Sequence, residues 1–549
     1  MASTPPPLSR RAFLPSTIAA ALAACGSNEV AAPAPTVSPT ATPDPTAAPT
    51  PAPPTPTPTA TPAPDPTATP TPVDLAVDPF TLGVASGDPT PDAVILWTRL
   101  AIEPLTGGAM PDERFDVGWE VATDATFANV VASGSAAAVP DLAHSVHVDA
   151  TGLDPDTWYS YRFVLGQYVS TAGRTRTVPA PDSSPARLRI GVSSCQHWET
   201  GHYAAHDHLA DEDLDLFIFL GDYIYENGPR DDLFESPTGT QRRHTSGEIL
   251  DLDAYRNRYG LYRTDAQLQR HHASRPWFIT WDDHEVENNY AGALPNNATS
   301  SREFLVRRAE AYQAWYEHMP VRLDAPDGPD YQIHRDLVWG DLAHIFLLDG
   351  RQYRDKQPTD GAQLDVPGLD GLPFRTLGPT ALDPDHRMLG LDQQRWMTND
   401  VSTSTRTWKV LGQQVFMHGL TLIPGSAMTL TDSWDGYFAN RQEILQGFVD
   451  AGVEDLVVLT GDFHSFTVGD VRPDPYDLDG PVVASEFMAG PISSTFPTRR
   501  DGVAPLVKAF NPQIKLFEPR NGYGVCEFTP NGCTMQYRVL DDVQDPRPA

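Results

Sequence analysis

Basic residues are scarce in this sequence. Lys and Arg together number 39 against 72 Asp and Glu, which gives a formal net charge of −33 over 549 residues. A surface this acidic repels polyanions, so nucleic-acid binding as a main role is excluded. The charge does not exclude a small phosphorylated substrate, because bound di- and trivalent cations would reverse the local field.

Long apolar runs and the usual nucleophile motifs are also missing. The apolar stretch at residues 12–24 is too short to cross a bilayer. No phosphate-binding P-loop, no GxSxG and no usable Ser-His-Asp order stands out. The sequence therefore gives no support for a covalent serine mechanism.

The first residues are typical of an export signal. Arg10 and Arg11 form a twin-arginine pattern ahead of the apolar stretch, and Leu22-Ala-Ala-Cys25 resembles the lipobox of bacterial lipoproteins, in which the cysteine is lipidated and becomes the mature N-terminus. We predict a twin-arginine lipoprotein signal peptide over residues 1–24 and a lipid on Cys25. An ordinary cleavage of the Ala-x-Ala type near the same place is the alternative. With the lipid, the protein would sit on the outer face of the cytoplasmic membrane or at the cell surface, held by the anchor alone.

Residues 25–77 are predicted to be a disordered stalk. The segment 31–72 contains 16 prolines, and Thr and Ala supply most of the rest. Such a composition buries too little apolar surface to offset the entropy of ordering, and its prolines favour extended polyproline II. The segment would then be a stiff spacer. The alternative is an unstructured tether with no role beyond its length.

The remaining chain is long enough for two domains. Residues 78–180 hold short alternating runs such as Ala93–Trp97 and Phe115–Val121, separated by turn signals, which predict a small all-β sandwich. Over residues 181–549, strands alternate with longer helical stretches, among them an amphipathic helix at Glu303–His318. This second part is predicted to be the α/β domain.

Four apolar runs each stop at residues that bind hard metal ions. The runs and the motifs that follow them are Leu188–Val192 before Ser-Ser-Cys195, Leu214–Leu220 before GDYIY (221–225), Trp277–Thr280 before WDDHE (281–285) and Leu456–Leu459 before TGDFH (460–464). Runs of this kind predict buried strands. The carboxyl ends of parallel strands share one edge of a sheet, so we expect a thiol, a phenol, carboxylates and imidazoles to meet there. That set can hold a cluster of metals.

Cysteine is scarce as well, with four in the chain. If Cys25 is lipidated three remain, an odd number for an exported protein. Cys526 and Cys533 flank a predicted hairpin turn. With Asn531-Gly532 as its loop, Cys533 would face Pro530 and the two sulfurs would not meet, whereas a looser loop could bring them together. In either case Cys195 stays unpaired at a strand end.

The motifs together resemble the alkaline phosphatase D family, from about residue 78 almost to the end of the chain. They are Phe80–Pro89, Ala93–Leu100, SSCQ (193–196), GDYIY, WDDHE, Leu348–Arg354, Asp435-Gly-Tyr437 and GDFHS (461–465). The resemblance implies an α/β fold in which a small fibronectin-like β-sandwich precedes a calcineurin-like metallophosphatase domain of stacked mixed sheets with flanking helices. It also implies an alkaline phosphatase or phosphodiesterase that uses a metal-activated hydroxide, with Fe3+ and Ca2+ as cofactors.

The family's residues carry over position by position. The resemblance assigns the metals to Cys195, Asp222, Tyr225, Asp283, Asp462 and His464, and gives His284 the catalytic role of stabilising the phosphoryl group or protonating the leaving oxygen. A phenolate and a thiolate on one ion favour Fe3+ over Mg2+ or Ca2+. Asp283 stands where related metallophosphatases have Asn, and Asp462 stands where purple acid phosphatases have His. Each departure adds an anionic oxygen, which suits calcium.

Six other residues are weaker candidates. Asn288 and Asn289 could touch calcium or substrate, or be simple turn residues. Arg351 and Arg354 could clamp a phosphate, or form salt bridges within this acidic body. Gln413 and Gln414 occupy roughly the place of a further histidine ligand in the purple enzymes.

The sequence leaves the substrate open. A monomer acting on a small phosphomonoester or phosphodiester is predicted, with phospholipid or a wall polymer among the options. One alternative is a phospholipase D-like phosphodiesterase. Another, of a different class, is a surface ligand-binding lipoprotein whose metal site is structural.

Overall fold

The computed structural model describes residues 73–230, 242–297, 299–363, 374–421, 428–496, 505 and 507–547. The predicted signal peptide, the lipidation site Cys25 and nearly all of the predicted stalk lie outside these residues and stay predictions. Among the described residues, no helix has both the length and the apolar character that a membrane crossing requires.

Strands make up most of the regular structure that the described residues show. In chain order they are β1 (Val84–Gly87), β2 (Ala93–Arg99), β3 (Phe115–Ala122), β4 (Val130–Ala138), β5 (Ser145–Thr151), β6 (Trp158–Leu165), β7 (Tyr168–Val169), β8 (Gly173–Arg176), β9 (Leu188–Ser193), β10 (Leu216–Leu220), β11 (Pro276–Thr280), β12 (Arg335–Trp339), β13 (Ala343–Leu347), β14 (Phe374–Thr376), β15 (Trp408–Gly412), β16 (Met428–Leu430), β17 (Leu456–Thr460), β18 (Phe466–Val471), β19 (Ala484–Met488), β20 (Ile514–Glu518), β21 (Gly522–Thr529) and β22 (Gly532–Val539). The helices are α1 (Ala204–Asp211), α2 (Leu252–Arg263), α3 (Ala266–His272), α4 (Ser301–His318), α5 (Gly390–Thr403) and α6 (Phe438–Asp450), with 3-10 turns at Pro140–Leu142 and Trp434–Tyr437.

Two large mixed sheets form the centre of the fold. The first has the order β22-β21-β9-β10-β11-β1-β2-β5 and the second the order β12-β13-β15-β17-β19-β18-β20. Strands β9, β10 and β11 are parallel to one another, as are β13, β15, β17 and β19. This arrangement corrects one expectation, because the four motif strands do not share a sheet: β17 belongs to the second sheet and the other three to the first.

The apolar strands are buried on both faces because each sheet lies between two layers. On β10, Leu216 and Ile218 join a core shared with residues of the second sheet, whereas Phe217 and Phe219 join a core shared with α1 to α4. Helices α5 and α6 cover the second sheet from its other side. Helices thus flank stacked mixed sheets, which confirms the α/β prediction at this level.

The helix predicted at Glu303–His318 is present and begins two residues earlier, at Ser301. Ser300 caps it: its hydroxyl accepts from the backbone N–H of Glu303, whose carboxylate in turn reaches back to the backbone N–H of Ser300. This reciprocal pair fixes where the helix starts.

The strands predicted within residues 78–180 divide between two sheets. Strands β3, β4, β6, β7 and β8 form a five-stranded sheet, while β1, β2 and β5 extend the first large sheet, where β1 pairs in parallel with β11. The end of β1 also approaches the segment that follows α4. This contact requires a glycine at position 87, because a Cβ there would lie 2.2 Å from the carbonyl oxygen of Pro320. The predicted boundary at residue 180 is therefore crossed by a continuous sheet.

The hairpin of β21 and β22 closes one residue earlier than predicted. Thr529 pairs with Gly532 and Cys526 with Met535, so the loop is Pro530-Asn531. This register makes Cys526 and Cys533 diagonal neighbours, and their Sγ atoms lie 3.5 Å apart. The register with Asn531-Gly532 as the loop is therefore wrong, and the two sulfurs meet, as the alternative allowed, although through a different two-residue loop instead of a looser one.

Candidate metal centre

The predicted metal ligands lie in the turns that follow the parallel strands. Cys195 follows β9, Asp222 follows β10, and Asp462 and His464 follow β17. All four have backbone φ angles between 49° and 60°. This left-handed conformation is uncommon outside glycine and persists only where the surroundings impose it. Strain gathered at one place in this way is typical of a functional site.

The turns bring these side chains into one cluster. Three groups have ligand atoms within 4.8 Å of one another: Cys195, Asp222 and His464; Asp222, Asp283 and His284; and Asp282, Asp283 and Asp462. Asp222 and Asp283 each belong to two groups, so the groups are continuous. Tyr225 completes the predicted set, since its hydroxyl donates to Asp222 Oδ2 at 2.7 Å and lies 3.3 Å from His464 Nε2. The role of each residue as a ligand stays a prediction.

The protein environment opposes negative charge on these groups. Burial raises the pKa of the Cys195 thiol well above its usual value, and the carboxylates of Asp222 and Asp462 raise it further. Burial and the same Asp222 raise the pKa of the Tyr225 phenol. Burial also raises the pKa of Asp462 to about 7, although Arg351 works against it. Cations bound in the cluster would favour the deprotonated forms of all of them.

Several buried oxygens in the cluster lack a hydrogen-bond donor. Oδ1 of Asp222 and Oδ2 of Asp282 have no partner among the described residues. An unpartnered buried acceptor costs about 1–3 kcal/mol. The amide of Asn289 lies beside the same carboxylates, and its nitrogen donates to Asp283 and to Asp432, each at 3.1 Å. The unpartnered oxygens of Asp222 and Asp282, together with a thiol and two imidazoles, form a donor set that fits metal ions.

Arg351 and Arg354 are held inside the protein by carboxylates. Arg351 is completely buried; it donates through Nε to Asp282, through Nη1 to Asp432 at 2.9 Å and through Nη2 to Asp462 at 3.1 Å. Arg354 donates to the other oxygen of Asp432 at 2.9 Å. Of the two alternatives for these arginines, the structure shows salt bridging. Their donors hold the acidic loops in place, and contact of either arginine with a phosphate stays a prediction.

Glu285 ties the ends of β10 and β11 together. One of its oxygens accepts from the backbone N–H groups of Asp222 at 3.1 Å and Asp282 at 2.8 Å, and the other accepts from that of Tyr223 at 2.5 Å. Since these N–H groups belong to the two turns that carry metal-binding carboxylates, Glu285 fixes the relative position of the turns.

His284 is oriented by a carboxylate from the preceding motif. Its Nδ1 lies 2.6 Å from Oε2 of Glu226, whose other oxygen accepts from the backbone N–H of Asn288 at 2.9 Å. Burial disfavours the charged imidazole, but Glu226, Asp222 and Asp283 outweigh it and raise the pKa of His284 well above its usual value. With Nδ1–H directed to Glu226, Nε2 is the nitrogen left for a substrate.

A cavity of about 370 Å3 opens beside the cluster. Its lining consists of His197, Thr200, Tyr225, Asn227, Arg230, His284, Asn288, His464, Ser494 and Thr495. No aliphatic side chain is among the described residues that line it. Asn288 thus lines the cavity, whereas the side chain of Asn289 lies beside the carboxylates of Asp283 and Asp432.

The side chains of Gln413 and Gln414 form hydrogen bonds within the protein. The amide nitrogen of Gln414 donates to the carbonyl oxygen of Trp281 at 2.7 Å, and its oxygen accepts from the backbone N–H of Gly350 at 3.0 Å. Gln413 accepts from the indole of Trp434 at 2.7 Å.

Several residues of the site were missed by the sequence analysis. Asp282 could have been found, since it precedes Asp283 in WDDHE. Glu226 directly follows GDYIY, but no periodicity marks it. Asp432 and Ser494 lie in loops without a motif, and only the fold brings the hydroxyl of Ser494 within 2.7 Å of that of Tyr225.

Comparisons with known proteins agree on one family. A family model described as "PhoD-like phosphatase" matches residues 190–537, and one for the N-terminal domain of PhoD-like phosphatases matches residues 67–179. The sequence is 43% identical over 475 residues to alkaline phosphatase D of Bacillus subtilis (strain 168), covering 85% of this chain and 79% of the relative. A solved structure titled "Structure of PhoD" superposes with a TM-score of 0.82 at 41% identity, covering 87% of this chain and 90% of that one.

Proposed function

The chain belongs to the PhoD-like phosphatase family and is a phosphoric ester hydrolase, and we propose that it uses Fe3+ and Ca2+ and is exported and lipid-anchored at Cys25. Metal dependence of the family agrees with the candidate metal groups of this chain. The observation that carries the proposal is the continuous cluster of three such groups, in which two buried carboxylate oxygens have no donor among the described residues.

The donor types divide the cluster between two kinds of ion. Cys195, Asp222, Tyr225 and His464 would hold Fe3+, because a thiolate and a phenolate on one ion favour it. Asp282, Asp283 and Asp462 supply only oxygen, the donor that Ca2+ prefers. When bound, these ions would neutralise the phosphate and lower the pKa of water, which supplies the nucleophile.

We assign His284 as the group that assists departure of the leaving oxygen. It lines the cavity, and Glu226 holds its Nδ1. Nε2 can therefore carry a proton to the oxygen that departs, or donate a hydrogen bond to the phosphoryl group as its negative charge grows. Glu226 stabilises the positive charge on the ring before the proton is released.

The cavity supports a small, polar substrate. Its described lining offers hydroxyl, amide, imidazole and guanidinium groups, which suit a phosphorylated compound with a polar leaving group. Nothing in that lining favours the acyl chains of a phospholipid, so the phospholipase D-like alternative gains no support. We also propose that the chain acts as a monomer.

The fold supports two finer assignments. We infer that the stacked sheets with their flanking helices form a calcineurin-like domain. We also infer that the five-stranded sheet, packed against β1, β2 and β5 through a shared apolar core, forms a fibronectin-like sandwich.

Hydrolysis of a chromogenic phosphomonoester and of its diester, with metal analysis of the same sample, tests the proposal. We expect hydrolysis with iron and calcium in comparable amounts, and a colour from charge transfer between phenolate or thiolate and iron. A colourless, fully active protein that contains only zinc would overturn the metal assignment.

Export and anchoring need a separate test. Replacing Arg10 and Arg11 with lysine should block export, because the twin-arginine signal is read as an address. Cys25→Ser should release the protein from membranes or leave it uncleaved, whereas the parent should fractionate with membranes until detergent is added. A Cys25→Ser protein that stays membrane-bound and cleaved would rule out the lipid.

A further inference from the structure

The cysteines that play no part in the metal centre lie together in the β21–β22 hairpin. We propose that Cys526 and Cys533 are a site of oxidative modification, at which a disulfide closes in the folded protein. Both are free thiols here, and their Sγ atoms lie 3.5 Å apart. A disulfide needs about 2 Å, so the sulfurs have to approach by only about 1.5 Å.

The hairpin register accounts for this proximity. Cys526 is paired with Met535 and Cys533 with Phe528, so the two cysteines are diagonal neighbours on one face of two adjacent strands. The right-handed twist of antiparallel strands draws together one of the two diagonals at each step. The two-residue loop Pro530-Asn531 sets this register, so the contact is a property of the folded hairpin.

Differences in burial give the two thiols separate roles. Cys526 is completely buried, whereas Cys533 is partly exposed. An oxidant in solution therefore meets Cys533 first. Burial raises the pKa of the Cys526 thiol well above its usual value, and the neighbouring Cys533 raises it further, which also makes Cys526 the less reactive thiol towards outside reagents.

The reaction needs a disulfide from outside, such as glutathione disulfide or a thiol–disulfide oxidoreductase. The Cys533 thiolate attacks one sulfur of that reagent, which forms a mixed disulfide and releases one thiol. Cys526 then loses its proton and attacks the sulfur of Cys533, which releases the second thiol. Two protein thiols are oxidised and one external disulfide is reduced to two thiols.

Cys195 cannot compete for this bond. Cys526 lies opposite Ile190 on β9, and Cys195 comes five residues further along the chain, beyond the end of that strand. At about 3.3 Å per residue, the separation is on the order of 15 Å. Cys195 is also completely buried, so oxidation at the hairpin would leave its thiol reduced and available as a metal ligand. The inference does not rest on the proposed function.

Peptide mapping of the folded full chain tests the proposal. Trypsin leaves both cysteines in the peptide 521–538, and a Glu-specific protease cuts between them after Glu527. After reduction, oxidation with glutathione disulfide, acid quench and alkylation, we expect peptides 521–527 and 528–538 joined by a disulfide. We also expect no mixed disulfide to accumulate, since the second thiol is already in place.

Cys526→Ser is the matched control, because it keeps Cys533 exposed but removes its partner. This variant should instead accumulate glutathione on Cys533. If the parent protein also ended with glutathione on Cys533 and an alkylated Cys526, or with both cysteines alkylated, the proposal would be overturned.

Discussion

The contact between Glu226 and His284 leads to the sharpest prediction. Glu226 is buried, and its carboxylate lies 2.6 Å from Nδ1 of His284. Glu226→Gln keeps the size and a hydrogen-bonding oxygen but removes the negative charge that stabilises the protonated ring. We expect a slower reaction with little change in substrate binding.

The magnitude follows from the strength of a buried hydrogen bond to a charged group, about 1.5–3 kcal/mol. Each 1.36 kcal/mol is a factor of ten in rate, so kcat should fall by roughly 10- to 100-fold. The loss should be larger on an alkyl phosphate than on a nitrophenyl phosphate, because an alkoxide needs the proton more.

The assay is steady-state hydrolysis of both esters, with metal analysis of each sample. Glu287→Gln is a matched control, since Glu287 is a buried carboxylate in the loop that carries His284 and pairs with Arg307 at 2.9 Å. Its kcat should stay near that of the parent on both esters. In a His284→Ala background, adding Glu226→Gln should change kcat by less than about twofold, because the two residues act as a unit.

Two results would refute this reasoning. One is an equal loss on good and poor leaving groups. The other is a full, additive loss in the His284→Ala background, which would mean that Glu226 acts through something other than the imidazole.

Three further predictions concern the metals and the stalk. Cys195→Ala and Tyr225→Phe should lose iron and colour, whereas His284→Ala should keep iron and lose most activity; iron retained in either of the first two would contradict the ligand assignment. Burial and neighbouring carboxylates raise the pKa of Asp462 to about 7, so below that pH Ca2+ has to displace a proton. In chelated protein, the rise in melting temperature on adding Ca2+ should therefore grow from pH 5 to about pH 7 and then level off; a rise that is independent of pH would count against Asp462 as a ligand. Deleting residues 31–72 should leave hydrolysis of a soluble ester unchanged, and its loss would make the stalk part of the folded enzyme.

The positions of the strands and of the residues that follow them could be read from local sequence signals. A buried strand is a short apolar run, and each motif directly follows such a run, so both signals are local. Cys195, Asp222, Asp283 and Asp462 could therefore be assigned to the ends of strands, and Ser300 with Glu303 encodes the start of a helix. The resemblance to a family added roles to these positions.

How these strands and side chains meet depends on contacts between distant parts of the chain. Sequence periodicity does not say which sheet a buried strand joins, and β17 joins the second sheet because its pairing partners are β15 and β19. The hydrogen-bond partners of long side chains likewise come from distant parts of the sequence. Arg351 reaches Asp432, 81 residues further along the chain, and so forms a salt bridge that no local sequence signal indicates.

The hairpin register shows the same limit at short range. An Asn531-Gly532 loop would place Cys533 opposite Pro530, whereas the observed Pro530-Asn531 loop places it opposite Phe528. Pairing of β21 with β9 on its other side holds Cys526 opposite Ile190, and β22 pairs so that Cys526 faces Met535. The register between β21 and β22 is decided only in the folded hairpin, and it is this register that brought the two sulfurs together.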